Sequence, residues 1–162
     1  MSGSSSNGSH GDRTVAVNRR ARYDYDLGDR YEAGLVLEGT EVKSLRQGKA
    51  SLAQAWVKID ESGEAWLMQA HIPEYQYGHR RNHDPTRPRK LLLKRRELDR
   101  LAGEFHKTGS ALVPTELYFR DGYAKLAFAV GGGKDKHDKR RDLARRDAQR
   151  EVERALKQRG RR

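Results

Sequence analysis

The chain has 162 residues, 35% of them hydrophobic, which suits one compact domain of ordinary size with polar tails. Its 34 Lys and Arg outnumber 23 Asp and Glu, and this net charge of +11 favours a polyanion such as nucleic acid or an acidic membrane as partner. Because we find no apolar run of the roughly 18 residues that span a membrane, no apolar N-terminal signal and no Cys, we expect a cytoplasmic protein that binds RNA or DNA.

The first segment, residues 1–14, consists mostly of Ser, Gly, Asn and Asp. This composition cannot bury enough apolar area to offset the entropy of ordering, so we expect the segment to be disordered. Residues 15–130 hold all seven Tyr, all three Phe and both Trp, which identifies them as the globular domain.

Tyr23 and Tyr25 lie among Arg19, Arg20 and Arg22 near the start of this domain. Mixtures of aromatic and basic side chains stack on bases and contact the backbone of nucleic acids. Alternation puts both Tyr rings on one face, so a place in the hydrophobic core explains them equally well. The sequence leaves both interpretations open.

A strand and a helix are predicted next along the chain. Residues 31–37 alternate between apolar and polar side chains, the period of two that is typical of a strand. Residues 40–47 have the apolar spacing of a short helix, with Thr40 as its N-cap and Gly48 as its end.

A hairpin and a basic loop follow. The apolar runs 55–59 and 65–68 flank an acidic turn, which predicts a β-hairpin. Residues 80–90 are rich in Arg and contain two Pro, which stiffen the segment and hold its donors outward. Arg side chains suit the geometry of phosphate, so we expect this loop to contact phosphates rather than to be only a solvated charged loop.

The last part of the domain contains a helix and a second hairpin. Residues 95–107 place apolar side chains at helical spacing. Residues 112–119 and 123–130 flank an Asp-Gly turn, which favours a tight hairpin. Short antiparallel strands with two or three helices predict a mainly β protein, a small antiparallel β-barrel of the oligonucleotide-binding type.

A basic tail ends the chain. Residues 131–133 are three Gly, which we expect to form a hinge. Residues 131–162 carry 13 Lys and Arg against 6 Asp and Glu, a net charge of +7. Their narrow, Ala-rich stripe has helical spacing but is too weak to hold an isolated helix in water. We expect a flexible tail that is disordered when free and helical when bound.

Catalytic and metal-binding patterns find little support. His71, His79 and His83 cross a loop with no Cys and no HExxH helix, so a metal site is a minor alternative. The Gly-rich segment before Lys134 lacks the Ser or Thr that a phosphate-binding loop places after its Lys. No nucleophile–base pairing is visible, so we expect a binding protein with no cofactor rather than an enzyme.

Several segments in order resemble the SsrA-binding protein (SmpB) family. They are residues 18–25 (NRRARYDY), 31–34 (YEAG), 39–50 (GTEVKSLRQGKA), 84–93 (DPTRPRKLLL) and 137–140 (HDKR). The resemblance runs from about residue 17 to about residue 159, almost without gaps. Because the motifs occur together and in register, the resemblance is specific.

The resemblance implies an oligonucleotide-binding-type barrel that binds the tRNA-like domain of transfer-messenger RNA (tmRNA, or SsrA RNA). It implies delivery of that RNA to ribosomes stalled on messages without a stop codon, where the peptide receives a degradation tag by trans-translation. The partners it implies are tmRNA, the decoding centre and mRNA channel of the small ribosomal subunit, and elongation factor Tu in the delivery complex.

The resemblance also assigns RNA-binding positions. The family positions tied to tmRNA binding match Asn18, Tyr25, Glu32, Leu92 and Lys125. Glu32 makes chemical sense as an acceptor for base or ribose donors, because a carboxylate repels phosphate, whereas Leu92 is equally well explained as a core residue. The basic and matching segments add further expected RNA contacts: Arg19, Arg22, Lys43, Arg87, Arg89 and Lys90.

For the tail, the resemblance implies that it enters the decoding site and lies as a helix in the empty mRNA channel. The residues expected there are Gly133, Lys134, His137, Asp138, Lys139, Arg140, Arg145, Arg146 and Arg150. Asp135 stands where the family usually has a second Lys, and Gly132 stands where a Lys is common. A different class, a structural protein of the ribosome, shares basic tails and small barrels and is the alternative.

Overall fold

The computed structural model describes residues 12–105, 110–133, 148–155 and 157. One antiparallel sheet has the strand order β1-β6-β7-β2-β5-β4-β3. Its strands are β1 (Arg13–Val17), β2 (Tyr25–Leu35), β3 (Trp56–Ile59), β4 (Ala65–Met68), β5 (Arg89–Leu92), β6 (Ser110–Arg120) and β7 (Tyr123–Gly133). The helices are α1 (Ala21–Asp24), α2 (Gly39–Arg46) and α3 (Arg95–Phe105), with a 3-10 turn at His79–Arg81.

The sheet curls on itself. Its last strand, β3, comes back into contact with β6, and register shifts interrupt the pairing of β2, β6 and β7. Such irregularities bend strands and increase their twist. The result is the mainly β, oligonucleotide-binding-type architecture that the sequence predicts.

Alternation along β2 separates the core from the outer face. Tyr31 and Ala33 are buried, and the Tyr31 ring stacks on Phe128 of β7 with centroids 5.6 Å apart. The residues between and beside them, Glu32 and Arg30, point outward. One strand therefore supplies both the core and the exposed sheet surface.

Both predicted hairpins are confirmed: β3 pairs with β4, and β6 with β7. The helix predicted over 40–47 spans Gly39–Arg46, but its N-cap is Glu38 rather than Thr40. The Glu38 N–H donates to the Glu41 carboxylate at 2.9 Å, whereas the Thr40 hydroxyl bonds to His83. The structure describes α3 as far as Phe105, so the predicted end at 107 lies outside the described residues.

Strands extend a few residues beyond both ends of the predicted domain. Strand β1 begins at Arg13 and pairs with β6, so residues 13 and 14 belong to the sheet. The Gly residues predicted to form a hinge complete β7, where Gly131, Gly132 and Gly133 pair with Leu27, Asp26 and Tyr25. Pairing with β2, and with β6 at Gly131 and Gly132, orders glycines that would weaken an isolated strand.

Part of the tail is described. Residues 148–155 and 157 are helical, and their side chains are exposed. The expectation that the tail orders only on binding stays a prediction. No helix in the described part of the chain combines the length and the apolar character needed to cross a membrane.

Candidate nucleic-acid interface

Four residues form a row across the outer face of four neighbouring strands. Tyr118 of β6 pairs with Lys125 of β7, Lys125 pairs with Gly34 of β2, and Gly34 pairs with Leu92 of β5. Directly opposed residues in antiparallel strands carry their side chains on the same face. Two family positions from distant parts of the chain, Leu92 and Lys125, are thereby brought together.

Gly34 leaves room for its neighbours to converge. A Cβ at this position would lie 3.5 Å from the Leu92 Cβ and 3.8 Å from the Lys125 Nζ. The apolar and the charged side chain therefore line one groove, on either side of a residue that contributes only backbone. Leu92 is 53% exposed, which rules out the core interpretation that the sequence left open.

Glu32 lies two residues before Gly34 on the same face of β2. The Tyr118 hydroxyl donates a short hydrogen bond to its carboxylate, and Arg120 Nη1 donates to both of its oxygens, at 3.2 and 3.0 Å. The hydrogen bond from Tyr118 and those from Arg120 hold the pKa of Glu32 below its ordinary value. The carboxylate is thus ionised and fixed in place, which suits an acceptor of hydrogen bonds from base or ribose groups.

A second cluster forms where β1 joins β2. The Asn18 backbone N–H donates to Thr115 O at 2.8 Å, and its side-chain amide donates to Pro114 O at 2.9 Å. These bonds fasten the short helix α1 against β6. The clustered residues line one groove and include four predicted RNA contacts: Asn18, Arg19, Arg22 and Tyr25.

Arg30 connects the two clusters, and the sequence pattern alone did not identify it. It lines the groove of Asn18 and Tyr25 and also the groove of Glu32, Leu92 and Lys125. Its guanidinium is exposed and lies 3.6 Å from the Glu116 carboxylate. Because Arg30, Glu32 and Gly34 alternate on one strand, extending the predicted strand to residue 30 would have found it. We call the outer surface formed by these two grooves the sheet face.

The sequence pattern also did not identify Tyr118 and Arg120, which donate hydrogen bonds to Glu32. Both belong to the second predicted hairpin, but nothing in their local pattern indicates a partner on another strand. Only the register of β6 with β7, and of β7 with β2, brings them within reach of Glu32.

The structure corrects the prediction for Arg89. Its side chain is fully buried, where Nε donates to Glu41 at 2.6 Å, Nη1 to Ala70 O at 2.5 Å and Nη2 to Pro85 O at 3.0 Å. With its donors satisfied inside the protein, Arg89 is not available to RNA. Alternation on β5 could have found this, because Arg89 and Leu91 face inward while Lys90 and Leu92 face outward.

Arg87 also pairs with Glu41, but its side chain is less buried than that of Arg89. Its guanidinium makes a short ion pair with Glu41 and lies 3.9 Å from Glu38. Burial alone would raise the pKa of Glu41, but hydrogen bonds from Arg87, the Glu38 N–H and Arg89 hold it below its ordinary value. The ion pairs fasten α2 to the segment that leads into β5.

The other predicted residues are placed as follows. Lys90 faces outward and pairs with Glu64 at 3.1 Å. Lys43 is exposed on α2, where its Nζ lies 5.4 Å from the centre of the Tyr75 ring, and it lines neither groove of the sheet face. The structure therefore brings Lys43 together with aromatic residues, not with Leu92 and Lys125.

Most residues expected in the tail lie outside the described residues: Lys134, His137, Asp138, Lys139, Arg140, Arg145 and Arg146. Gly133 is the last residue of β7, beside Tyr25. Arg150 is exposed within the helical segment.

The three His weighed as metal ligands serve other purposes or lie apart. His83 is buried, and its Nε2 bonds to Ile72 O at 2.8 Å while its Nδ1 bonds to the Thr40 hydroxyl at 2.9 Å. His71 forms an isolated bridge with Ser51. Among the described residues, no three His, Cys, Asp or Glu side chains are grouped closely enough to hold a metal ion.

Known proteins are similar in sequence to most of this chain. The family model described as SmpB protein matches residues 15–158. The SsrA-binding protein of Mycobacterium leprae is 57% identical over 146 residues, which cover 90% of this chain and 91% of the relative. The SsrA-binding protein of Saccharopolyspora erythraea is 55% identical over 146 residues, covering 90% and 92%.

The fold is shared with a solved structure as well. A chain in the structure described as "tmRNA-SmpB: a journey to the center of the bacterial ribosome" superposes with a TM-score of 0.64 and 41% identity, covering 82% of this chain and 94% of that one. The sequence and the structural comparisons each cover most of the chain. This chain therefore belongs to the SmpB protein family.

Proposed function

We propose that this protein binds tmRNA at its tRNA-like domain and delivers it to stalled ribosomes for trans-translation. It acts as a binding adaptor rather than as an enzyme, and it works in the cytoplasm with the ribosome. The observation that carries the proposal is the row on the sheet face, where an exposed Leu92 adjoins Lys125 and the fixed carboxylate of Glu32. The relatives, which are named for binding SsrA, support the same function.

The sheet face combines three kinds of RNA contact. Lys125 and Arg30 supply positive charge for phosphates, and Leu92 supplies an apolar surface for a base or ribose. Glu32 accepts hydrogen bonds from base edges or ribose hydroxyls, which a phosphate cannot donate. Such a mixture suits a folded RNA with exposed bases better than a uniform duplex.

The tail has a separate role in this proposal. It probes the decoding site and the empty mRNA channel of the small subunit, through the expected contact residues between Gly133 and Arg150. Elongation factor Tu accompanies the complex during delivery. The start of the tail has Asp135 where the family usually has a Lys, and so it lacks one positive charge. Contacts with ribosomal RNA there therefore depend more on Lys134 and Lys136.

Sequencing of RNA crosslinked to the protein in cells tests the proposal. We expect one abundant structured RNA, tmRNA, with ribosomes below stoichiometric amounts. Leu92→Ala should reduce tmRNA recovery, whereas Tyr123→Ala, which removes a 71% exposed ring at the β6–β7 turn, should leave it unchanged. Stoichiometric ribosomal RNA without tmRNA would instead identify a structural ribosomal protein.

A further inference from the structure

A second aromatic and basic surface lies away from the sheet face. It is a groove between the start of α2 and the segment after β4, lined by Thr40, Lys43, Tyr75, Tyr77, Gly78, His79, Arg80 and Arg81. We call it the tyrosine groove. None of these residues lines the two grooves of the sheet face, so the tyrosine groove is a separate surface.

The loop that carries the two tyrosines is held in shape by Asn82. The Tyr75 N–H donates to Asn82 Oδ1 at 2.8 Å, and Asn82 Nδ2 donates to Tyr75 O at 2.9 Å. A Cβ on Gly78 would lie 2.7 to 2.9 Å from the Asn82 side-chain amide. Only Gly fits at position 78 while this clamp is in place, so the loop is organised before any ligand arrives.

The clamp leaves one aromatic ring available. Tyr75 is half-buried, with Lys43 over its ring and Tyr77 edge-on to it at 5.6 Å and 71°. Tyr77 is 62% exposed. The loop thus holds an accessible ring beside basic side chains, the arrangement on which a base can stack.

The charges around Tyr77 are available as well. The lining of the groove contains Lys43, Arg80 and Arg81 but no Asp or Glu. Within residues 12–105 and 110–133, neither the Arg80 nor the Arg81 guanidinium has a carboxylate partner. This contrasts with the next two arginines along the chain, which are paired with Glu41.

We propose that the tyrosine groove is a second RNA-binding site, which takes an unpaired base stacked on Tyr77 while Lys43, Arg80 and Arg81 contact the adjoining phosphates. Aromatic rings combined with cations and no carboxylate suit single-stranded nucleic acid. A duplex hides the faces of its bases, so a stacking ring selects unpaired RNA. The site goes beyond the tmRNA contact proposed for the sheet face and can fail while that contact stands.

Binding of the full chain to a fluorescent hexauridine tests the site. Tyr77→Ala should weaken binding about tenfold, since stacking of one base on an aromatic ring has an effect of this order. Tyr77→Phe keeps the ring and should bind like the wild type. Tyr123→Ala removes an exposed ring elsewhere and should also bind like the wild type. Unchanged melting temperatures would show that each variant is folded.

Salt dependence tests the charges independently. The double variant Arg80→Gln, Arg81→Gln should lower the slope of log affinity against log salt by about 1.4 for hexauridine, because each phosphate that is no longer neutralised on a single strand lowers it by roughly 0.7. Tyr77→Ala should leave the slope unchanged, because it removes no charge.

The two sites are told apart with the same variants. Leu92→Ala should weaken binding of tmRNA but not of hexauridine, and Tyr77→Ala should do the reverse if the two surfaces are independent. Crosslinking of 5-iodouridine in the oligonucleotide should map to Tyr77. An affinity for hexauridine that Tyr77→Ala does not change, or crosslinks that map outside the tyrosine groove, would overturn the proposal.

Discussion

Leu92 and Lys125 are neighbours over Gly34, and in the RNA contact proposed above they contribute by different physics. An ammonium such as that of Lys125 attracts phosphate and displaces counterions from RNA. Leu92 gains free energy only by removing apolar surface from water. Because the two side chains share one location, replacing them one at a time separates charge from apolar contact without moving the site.

We predict that Lys125→Ala lowers tmRNA affinity and lowers the slope of log affinity against log salt by about 0.7 to 0.9, the effect of removing one phosphate-binding cation. Leu92→Ala should weaken binding by about 1 to 2 kcal/mol, because part of the leucine side chain is no longer there to be buried, with no change in slope. Titrations at several salt concentrations measure both. Equal slopes for Lys125→Ala and the wild type would contradict the phosphate contact.

At the scale of elements, one buried carboxylate joins a helix to a strand. Glu41 of α2 is fully buried and pairs with Arg87 and with Arg89 of β5. Breaking a buried ion pair leaves the remaining charge without a partner, which costs about 3 to 5 kcal/mol. The same contacts set the position of α2, and with it the position of Lys43.

Glu41→Gln should therefore lower the free energy of unfolding by about 3 to 5 kcal/mol at pH 7, measured by urea denaturation. Glu38→Gln, on an exposed side chain 3.9 Å from Arg87, should cost under about 1 kcal/mol and serves as the control. A similar loss for both variants would contradict the role of the buried pair.

The effect of Glu41 also depends on pH in a defined direction. The pKa of Glu41 is lowered in the folded protein from an ordinary value of 4.5, so the unfolded chain takes up the proton first as the pH falls. The stabilisation is fully present above pH 4.5 and is lost as the pH falls through the folded-state pKa. The difference in stability between the wild type and Glu41→Gln should hence shrink below pH 4.5 in urea denaturation at a series of pH values.

The end of β7 gives a further prediction at this scale. A Cβ on Gly131 would lie 3.0 Å from Tyr25 Cβ, whereas one on Gly132 would meet nothing within 4 Å. Gly131→Ala should lower stability by about 1 to 3 kcal/mol through overpacking and weaken tmRNA binding by displacing Tyr25. Gly132→Ala is the matched control and should be neutral in melting and binding assays. A neutral Gly131→Ala would show that Tyr25 has room to move.

At the scale of the whole molecule, local patterns predict the elements better than the contacts between them. Both hairpins and α2 follow from period and turn residues, and the barrel follows from their number. The pairing of residues 131–133 with β2 does not, because three Gly carry no strand signal of their own and are ordered by a partner about 105 residues away. Arg89 was misplaced because its basic run indicates phosphate contact, whereas the alternation of β5 and the buried partner Glu41 place it inside.

The division between domain and tail gives a prediction for the complete protein. A chain that ends at Gly133 keeps β7 whole, whereas a chain that ends at Val130 loses the residues that pair with Tyr25, Asp26 and Leu27. We expect deletion of residues 134–162 to spare tmRNA binding and to abolish tagging of stalled peptides in a reconstituted translation assay. Tagging that persists after this deletion would contradict the role proposed for the tail.

Within the tail, the helical segment is tested separately. Val152→Pro should reduce tagging nearly as much as the deletion, because Pro interrupts a helix at a cost of about 3 kcal/mol. Val152→Ala keeps the helix and is the control. Tagging by Val152→Pro at the wild-type rate would show that the segment does not act as a helix.

Alternate residues of β5 face the interior and the surface of the protein. Arg89 and Leu91 face the interior, and Lys90 and Leu92 face outward. Under the proposed function, substitutions at positions 90 and 92 can therefore change RNA recognition without unfolding the protein, while positions 89 and 91 tolerate little change. A library randomised at the outward pair should yield folded proteins with graded RNA preferences, and a library at the inward pair should yield mostly insoluble ones. In this strand, positions that tolerate substitution alternate with positions that do not.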